Sequence, residues 1–213
     1  MLLVVGRIKG GSGKSTIAVN LAVARAGKHK VLLVDGDDQE SISDWYAERK
    51  SSYPNLSPNL DFIQVAGESA HKPILDIADR YDTIIVDTGG RDTNTQRAVL
   101  SIADFLLLPF QPRSVDIWTL KKVSVLIGKI QKINPDLKCG GFVNRAFANS
   151  TDNDDTMTAI LETDNVELIP IKIGDRKAFS NSFGAGLTVP EIKPKAEKAM
   201  EELQALYLYC FHQ

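Results

Sequence analysis

Lys9-Gly10-Gly11-Ser12-Gly13-Lys14-Ser15-Thr16 stands between an apolar run, Leu2 to Ile8, and the residues Ile17, Leu21 and Ala24 at i, i+4 and i+7. That order reads as strand, glycine-rich turn and helix. The context is the one a phosphate cradle requires. Glycines let successive backbone N–H groups turn inward around an anion, and the helix that follows adds its positive N-terminal end. The backbone of Gly10, Gly11, Ser12 and Gly13 supplies the cradle. Lys14 reaches the β- and γ-phosphates of a bound nucleotide, Ser15 ligates magnesium and Thr16 holds the α-phosphate.

Outward from this loop, short runs rich in Val, Ile and Leu recur at Val31 to Val34, Phe62 to Val65, Thr83 to Val86, Phe105 to Leu108, Cys139 to Val143 and Val166 to Ile169. Runs that are apolar throughout, rather than alternating, predict strands covered on both faces. Helical patterns lie between them. One opens at Ser114 as N-cap and carries Leu120, Val123, Ile127 and Ile130; another runs from about Pro194 with Ala196, Met200, Leu203, Tyr207 and Cys210 on one stripe. Alternating strands and helices predict an α/β fold, a doubly wound and mostly parallel sheet flanked by helices. Ser51 to Asn59, with two prolines, is the one long surface loop expected.

The 213 residues are 43% hydrophobic and 24% charged, which excludes disorder and predicts one domain spanning 1–213. Twenty-five Lys and Arg against 27 Asp and Glu leave a net charge of -2, so any binding to nucleic acid must come from a local patch. The N-terminal apolar run is too short for a secretory signal, and no stretch approaches the roughly 20 apolar residues of a membrane helix. Cys139 and Cys210 have no CxxC or Cys/His spacing, so they read as structural thiols of a reducing cytoplasm.

Two acidic clusters follow predicted strands. Val34-Asp35-Gly36-Asp37-Asp38-Gln39 ends the second, with Ser41, Asp44 and Trp45 beyond it, and Ile84-Ile85-Val86-Asp87-Thr88-Gly89-Gly90 ends the fourth. A hydrophobic strand that closes on an acid has the form of a Walker B segment, in which Asp87 holds magnesium through water. The carboxylates after the second strand belong either to the phosphate site or to the cap of the next helix. Gly89 and Gly90 predict a mobile switch, and Arg91 either reports the phosphate state or pairs with Asp92.

The loop departs from the ordinary GxxxxGK[ST] pattern, since Ile8 occupies the first glycine position, and it carries the extra Lys9. KGGxGK[ST] resembles the deviant Walker A of the ParA/MinD family of P-loop ATPases, and residues 35 to 45 resemble the pattern DxDPQxSxxxW of its small ParA branch. The resemblance implies ATP and Mg2+ as ligands and a nucleotide sandwich dimer in which Lys9 crosses to the partner's phosphates. It implies that Asp37 orients the attacking water and that Asp35 supports the magnesium shell. Asp38 stands where the family usually has Pro, which bears on nucleotide affinity and turnover. Val143-Asn144-Arg145 resembles the family's adenine-reading Asn, with a strand-end turn as the other reading of Asn144. Pro170 and Asp175, in the stretch Ile169 to Arg176, are the further base contacts implied.

The same resemblance implies a homodimer with ATP that binds DNA without sequence preference, together with a ParB-like or cargo-adaptor protein that stimulates hydrolysis. It further implies a plasmid, a chromosome or a protein assembly as cargo and a cytoplasmic, nucleoid-associated location. Candidate DNA contacts are Arg176, Lys177, Lys193 and Lys195, with Lys122, Lys129 and Lys132 on the long helix. No operator-reading helix-turn-helix is expected ahead of the first strand. The alternatives are a membrane-cycling regulator like MinD, for which Leu203 to Gln213 lacks a basic amphipathic face, and a bacterial tyrosine kinase of the same class, for which Tyr207 and Tyr209 are the candidates. No membrane contact is expected.

Overall fold

A computed structural model describes residues 1–6, 11–89, 93–112 and 117–212. Lys9, Gly10, Gly90, Arg91, Asp92 and the expected N-cap Ser114 lie outside the described residues. Seven strands form one sheet: β1 (Leu2–Val5), β2 (Val31–Gly36), β3 (Leu60–Gln64), β4 (Thr83–Thr88), β5 (Phe105–Phe110), β6 (Lys138–Ala146) and β7 (Glu167–Gly174). Their order is β3-β2-β4-β1-β5-β6-β7, and every neighbouring pair is parallel. The connecting helices are α1 (Lys14–Ala26), α2 (Ser41–Ser52), α3 (His71–Leu75), α4 (Asn94–Leu100), α5 (Ile117–Ile130), α6 (Asp152–Leu161), α7 (Lys177–Gly184) and α8 (Glu197–Phe211).

Successive side chains of a strand point to opposite faces, and both faces here are apolar. Leu3, Val5, Leu33 and Ile85 pack under Ile17 and Leu21 of α1, Ile42 and Trp45 of α2, Phe179 of α7 and Leu203 of α8. Val4, Val34, Val86 and Leu106 pack under Ile74 of α3, Val99 of α4, Ile127 of α5 and Ile160 of α6. The doubly wound expectation holds, with two cores on a sheet buried from both sides. The predicted stripe of α5, Leu120, Val123, Ile127 and Ile130, is buried throughout.

Several boundaries differ from the expected ones for physical reasons. β7 continues to Gly174 through Pro170, whereas the sequence pattern stops at Ile169. A proline is tolerated because β7 is an edge strand and its register against β6 shifts across this position, between Gly141 and Val143. α2 absorbs Ser51 and Ser52, so the loop is shorter than expected. α8 begins at Glu197, not near Pro194, and its buried line is Ala199, Leu203, Leu206 and Cys210, with Met200 and Tyr207 on its flank. Ala24 faces solvent, while Ala18 and Ala22 join Ile17 and Leu21 in the core.

Both cysteines are free and buried, and burial pushes both thiols up, that of Cys210 to about 12. They pack as small hydrophobes. Among the described residues no helix is long and apolar enough to cross a membrane.

Candidate active site

The strand order reverses around β1, and in doubly wound sheets ligands bind beyond the carboxyl ends of the strands at such a point. Register does the assembling. Asp35 on β2 is paired with Asp87 on β4, and Asp87 with Val5 on β1, so both acids lie level with the last residue of β1. Gly11 and Gly13 take left-handed backbone angles, φ 83° and 80°. A Cβ on Gly13 would sit 2.7 Å from Nδ2 of Asn144, so glycine is required there for conformation and for space. α1 then starts at Lys14, with Ile17 N–H donating to the Gly13 carbonyl (3.0 Å), and aims its N-terminal end at the turn.

Asp87 is fully buried, and burial pushes its carboxyl up to about 7 against the opposing pull of the Lys14 charge and the Ser15 hydrogen bond. The Ser15 hydroxyl donates to its Oδ2 at 2.5 Å, while its Oδ1 has no partner. A buried carboxylate oxygen left over beside a serine hydroxyl is a hard-oxygen donor set suited to Mg2+, which keeps several waters and takes its remaining ligands from phosphates. The residues present fit that ion, which Ser15 and Asp87 would hold. Asp35 does different work. Its Oδ1 accepts the Asp37 N–H (3.1 Å), and its Oδ2 accepts both the N–H and the hydroxyl of Ser43 (2.9 Å each). Both oxygens accept hydrogen bonds that hold the Asp37 loop to the start of α2, so Asp35 supports the shape of the site.

Asp37 lies across from the phosphate loop, its Oδ2 3.9 Å from Lys14 Nζ. Its Oδ1 accepts the Gln39 N–H (3.1 Å), an Asx turn that fixes the side chain, and Glu40 follows in left-handed geometry. Gly89 lies against this carboxylate, where an added Cβ would come 3.4 Å from Oδ1. The Ser12 side chain is buried, and its hydroxyl has no partner. Thr16 lines the neighbouring cleft with Gly11 and Gly13.

That cleft, about 490 Å³, also takes in Asn144, Asp175 and Phe179. Asn144 is buried at the end of β6 and donates Nδ2 to the Ser12 carbonyl at 2.6 Å. Neither expected role describes it fully, since it straps the phosphate loop from a strand. Pro170 is not brought to the cleft. It is exposed on β7 four residues before Gly174, roughly 13 Å back along the strand. That distance removes it from the base contacts, whereas Asp175 stays.

Two contributors were not legible beforehand. Arg145 takes a left-handed backbone (φ 56°), donates to the Gly11 carbonyl (3.0 Å) and pairs with Asp175 (3.4 Å). Gln96 of α4 is buried between Thr88 and Gly6, its Oε1 without a partner. A non-glycine residue at positive φ leaves no mark in a single sequence, and Gln96 lies on a helix with no motif.

The basic candidates divide between two surfaces. Lys122 and Lys129 are exposed on α5, on one side of the sheet, and the stretch 176–195 lies on the other. Arg176 is engaged by Glu202 in a two-pronged pair (3.0 and 2.5 Å), and Lys195 donates to the Pro190 carbonyl. Lys177 and Lys193 are exposed.

The family model of the CobQ/CobB/MinD/ParA nucleotide binding domain matches residues 3–189. Maintenance of carboxysome distribution protein A of Halothiobacillus neapolitanus is 25% identical, with 96% of this chain and 93% of that protein aligned. Among solved structures, a plasmid partition protein from Borrelia burgdorferi B31 bound to AMPPNP has a TM-score of 0.75 at 19% identity, covering 100% of this chain and 99% of the other. A McdA–ATP complex from Cyanothece has a TM-score of 0.77 at 19% identity, covering 96% and 95%.

Proposed function

This chain belongs to the CobQ/CobB/MinD/ParA nucleotide-binding family, and from that premise we propose that it is an ATPase that positions or segregates a cargo by cycling on DNA. The observation that carries the reading is the meeting of Lys14, Ser15, Asp37 and Asp87 at the carboxyl ends of three adjacent strands, with Asp87 Oδ1 left over for a hydrated cation. Phosphoryl transfer asks for position and charge neutralisation more than covalent chemistry. The N–H groups of Gly10, Gly11, Ser12 and Gly13 cradle the phosphates, Lys14 neutralises them and Thr16 holds the α-phosphate. Ser15 and Asp87 hold Mg2+, which when bound offsets the negative charge that builds on the transferring group. Asp37 orients the attacking water, Asp35 fixes the loop that carries Asp37, and Lys9 reaches the phosphates of a second copy across a nucleotide sandwich dimer.

The dimer binds DNA without sequence preference, and a partner protein that stimulates hydrolysis releases it. Of the four basic residues first assigned to DNA, Lys177 and Lys193 are the better contacts, because Arg176 is held by Glu202 and Lys195 by Pro190. The likeness to a carboxysome distribution protein along nearly the whole chain favours a protein assembly as cargo.

The test is a titration of the protein onto unrelated duplex fragments with Mg-ATP, Mg-ADP or no nucleotide, at two salt concentrations. Binding confined to ATP, indifferent to sequence and weakened by salt, is the expected result. Equal binding in all three states, or none in any, overturns the DNA-cycling reading, and anionic vesicles then test the membrane alternative.

A further inference from the structure

Arg49 of α2 is 1% exposed, the largest of the fully buried side chains. An arginine is seldom put there unpaired, and here both terminal nitrogens are bonded while Nε has no partner. It grips the segment 186–191: Nη1 donates to the Gly186 carbonyl (3.0 Å) and to Glu191 Oε2 (2.9 Å), and Nη2 donates to Glu191 Oε1 (2.6 Å) and the Ser57 hydroxyl (2.8 Å). One turn earlier, Trp45 donates its indole N–H to the Leu187 carbonyl (3.2 Å). Gly186 is at φ 67° and lies so close that a Cβ would be 2.7 Å from the Arg49 backbone nitrogen. The segment is itself stiffened by a capping box, with Glu191 Oε2 accepting the N–H and hydroxyl of Thr188 (2.8 Å each).

The other side of the same segment is tied to α1. Val189 N–H donates to Asn20 Oδ1 (3.0 Å), and Asn20 Nδ2 donates to the Thr16 carbonyl (2.8 Å). α1 carries Lys14 and Ser15. α2 carries the Asp37 loop, through Ser43 and Asp35. α1 and α2 also touch within the shared apolar core, while at the site the two halves approach through Lys14 and Asp37 at 3.9 Å, a loose contact by hydrogen-bond standards. α2 is about 18 Å long, so a small tilt at its Arg49 end displaces the Asp37 end.

We propose that Arg49, Glu191 and Asn20 are positioning residues for hydrolysis: through the strap 186–191 they lock α2 to α1 and so fix the distance between the Asp37 carboxylate and the phosphate loop. The inference rests on the role given to Asp37 above. Misplacing a water-aligning group by about 1 Å costs up to 100-fold in rate, while cradle contacts that bind the nucleotide are untouched.

The experiment compares full-length wild type with Glu191→Gln, Asn20→Ala and the double variant. Three quantities are read: kcat for Mg-ATP hydrolysis, Kd for a fluorescent ATP analogue, and hydrogen exchange at the Ser43 amide, with Leu33 in β2 as an internal reference. Expected are a fall in kcat of at least 10-fold in each single variant, Kd within about 2-fold, faster exchange at Ser43 but not at Leu33, and a double variant no worse than the poorer single. Unchanged kcat in folded variants, losses that multiply in the double, or Kd weakened in parallel with kcat would each overturn the proposal. Should Glu191→Gln fail to fold, Asn20→Ala and Trp45→Phe, which loosen the strap without stranding a buried charge, decide it by the same readouts. A wild type that binds the analogue yet hydrolyses nothing sinks the hydrolytic reading itself, and the strap is then judged by Ser43 exchange alone.

Discussion

Three acidic residues of similar appearance are sorted by what surrounds each oxygen. Asp35 has both oxygens bonded, one to the Asp37 loop and one to Ser43 of α2, Asp37 keeps one towards Lys14, and Asp87 keeps one with no partner. Substituting Asp37 by Ala should therefore abolish hydrolysis, by 100-fold or more, with analogue binding retained, measured as phosphate release against Kd. Asp87→Asn should instead remove the Mg2+ dependence of nucleotide binding, read as Kd with and without the ion. Glu191 offers a pH test. Burial alone would raise its carboxyl, but hydrogen bonds from Arg49 and Thr188 and the Arg49 charge outweigh this and hold it below the usual 4.5. A lowered acid contributes stability that is complete at neutral pH and is lost as pH falls from that range through the folded value. Glu191→Gln should lower stability at pH 7 by about 3 kcal/mol and flatten the acid side of a denaturation series, because Arg49 is left buried with a weakened partner.

At the level of elements, the strands and the phosphate turn could be read because each depends on neighbours in sequence: an apolar run, then glycines, then a helical period. Asp87 was legible because it closes such a run. What escaped reading depends on residues far apart in the chain. Thr188 and Glu191 carry the spacing of a capping box, a signal visible in the sequence, but nothing there points to Arg49, 142 residues away. Asn144 could be placed at a strand end, while its attachment to Ser12 required the fold. Pro170 was misplaced for a related reason, since strand edges are set by topology and not by the residues of the strand. Lys177 opens α7 and Lys193 lies in the stretch that joins α7 to α8, and exposed lysines there act on phosphates additively. Replacing both by Ala should reduce the log–log salt slope of DNA binding by about 0.9 for each lysine that contacts a phosphate, with little change in residual sequence preference. An unchanged slope would move the DNA surface to α5.

For the molecule as a whole, the parallel register places the chemistry at one rim of the sheet and leaves two apolar cores to hold it there. Nucleotide binding at that rim is linked to global unfolding, since the carboxyl ends of β1, β2 and β4 separate when the sheet is lost. Mg-ATP at 100 times its Kd should add about 2.7 kcal/mol, which for a chain of this size is a rise in Tm of roughly 5 to 10 °C. The proposed sandwich dimer should add a further signature, a Tm that climbs with protein concentration in Mg-ATP and not in Mg-ADP. Scanning calorimetry at two concentrations reads both.

The outer strand β7 bears on how copies of this protein meet. Pro170 withholds a backbone donor midway along that margin, and Lys172, paired with Asp154 at 2.6 Å, sets charge beside it. A proline and charged side chains on an edge strand both oppose the addition of a strand from a neighbouring copy. Growth of the sheet from one molecule into the next is discouraged on this side, which guards against fibre formation.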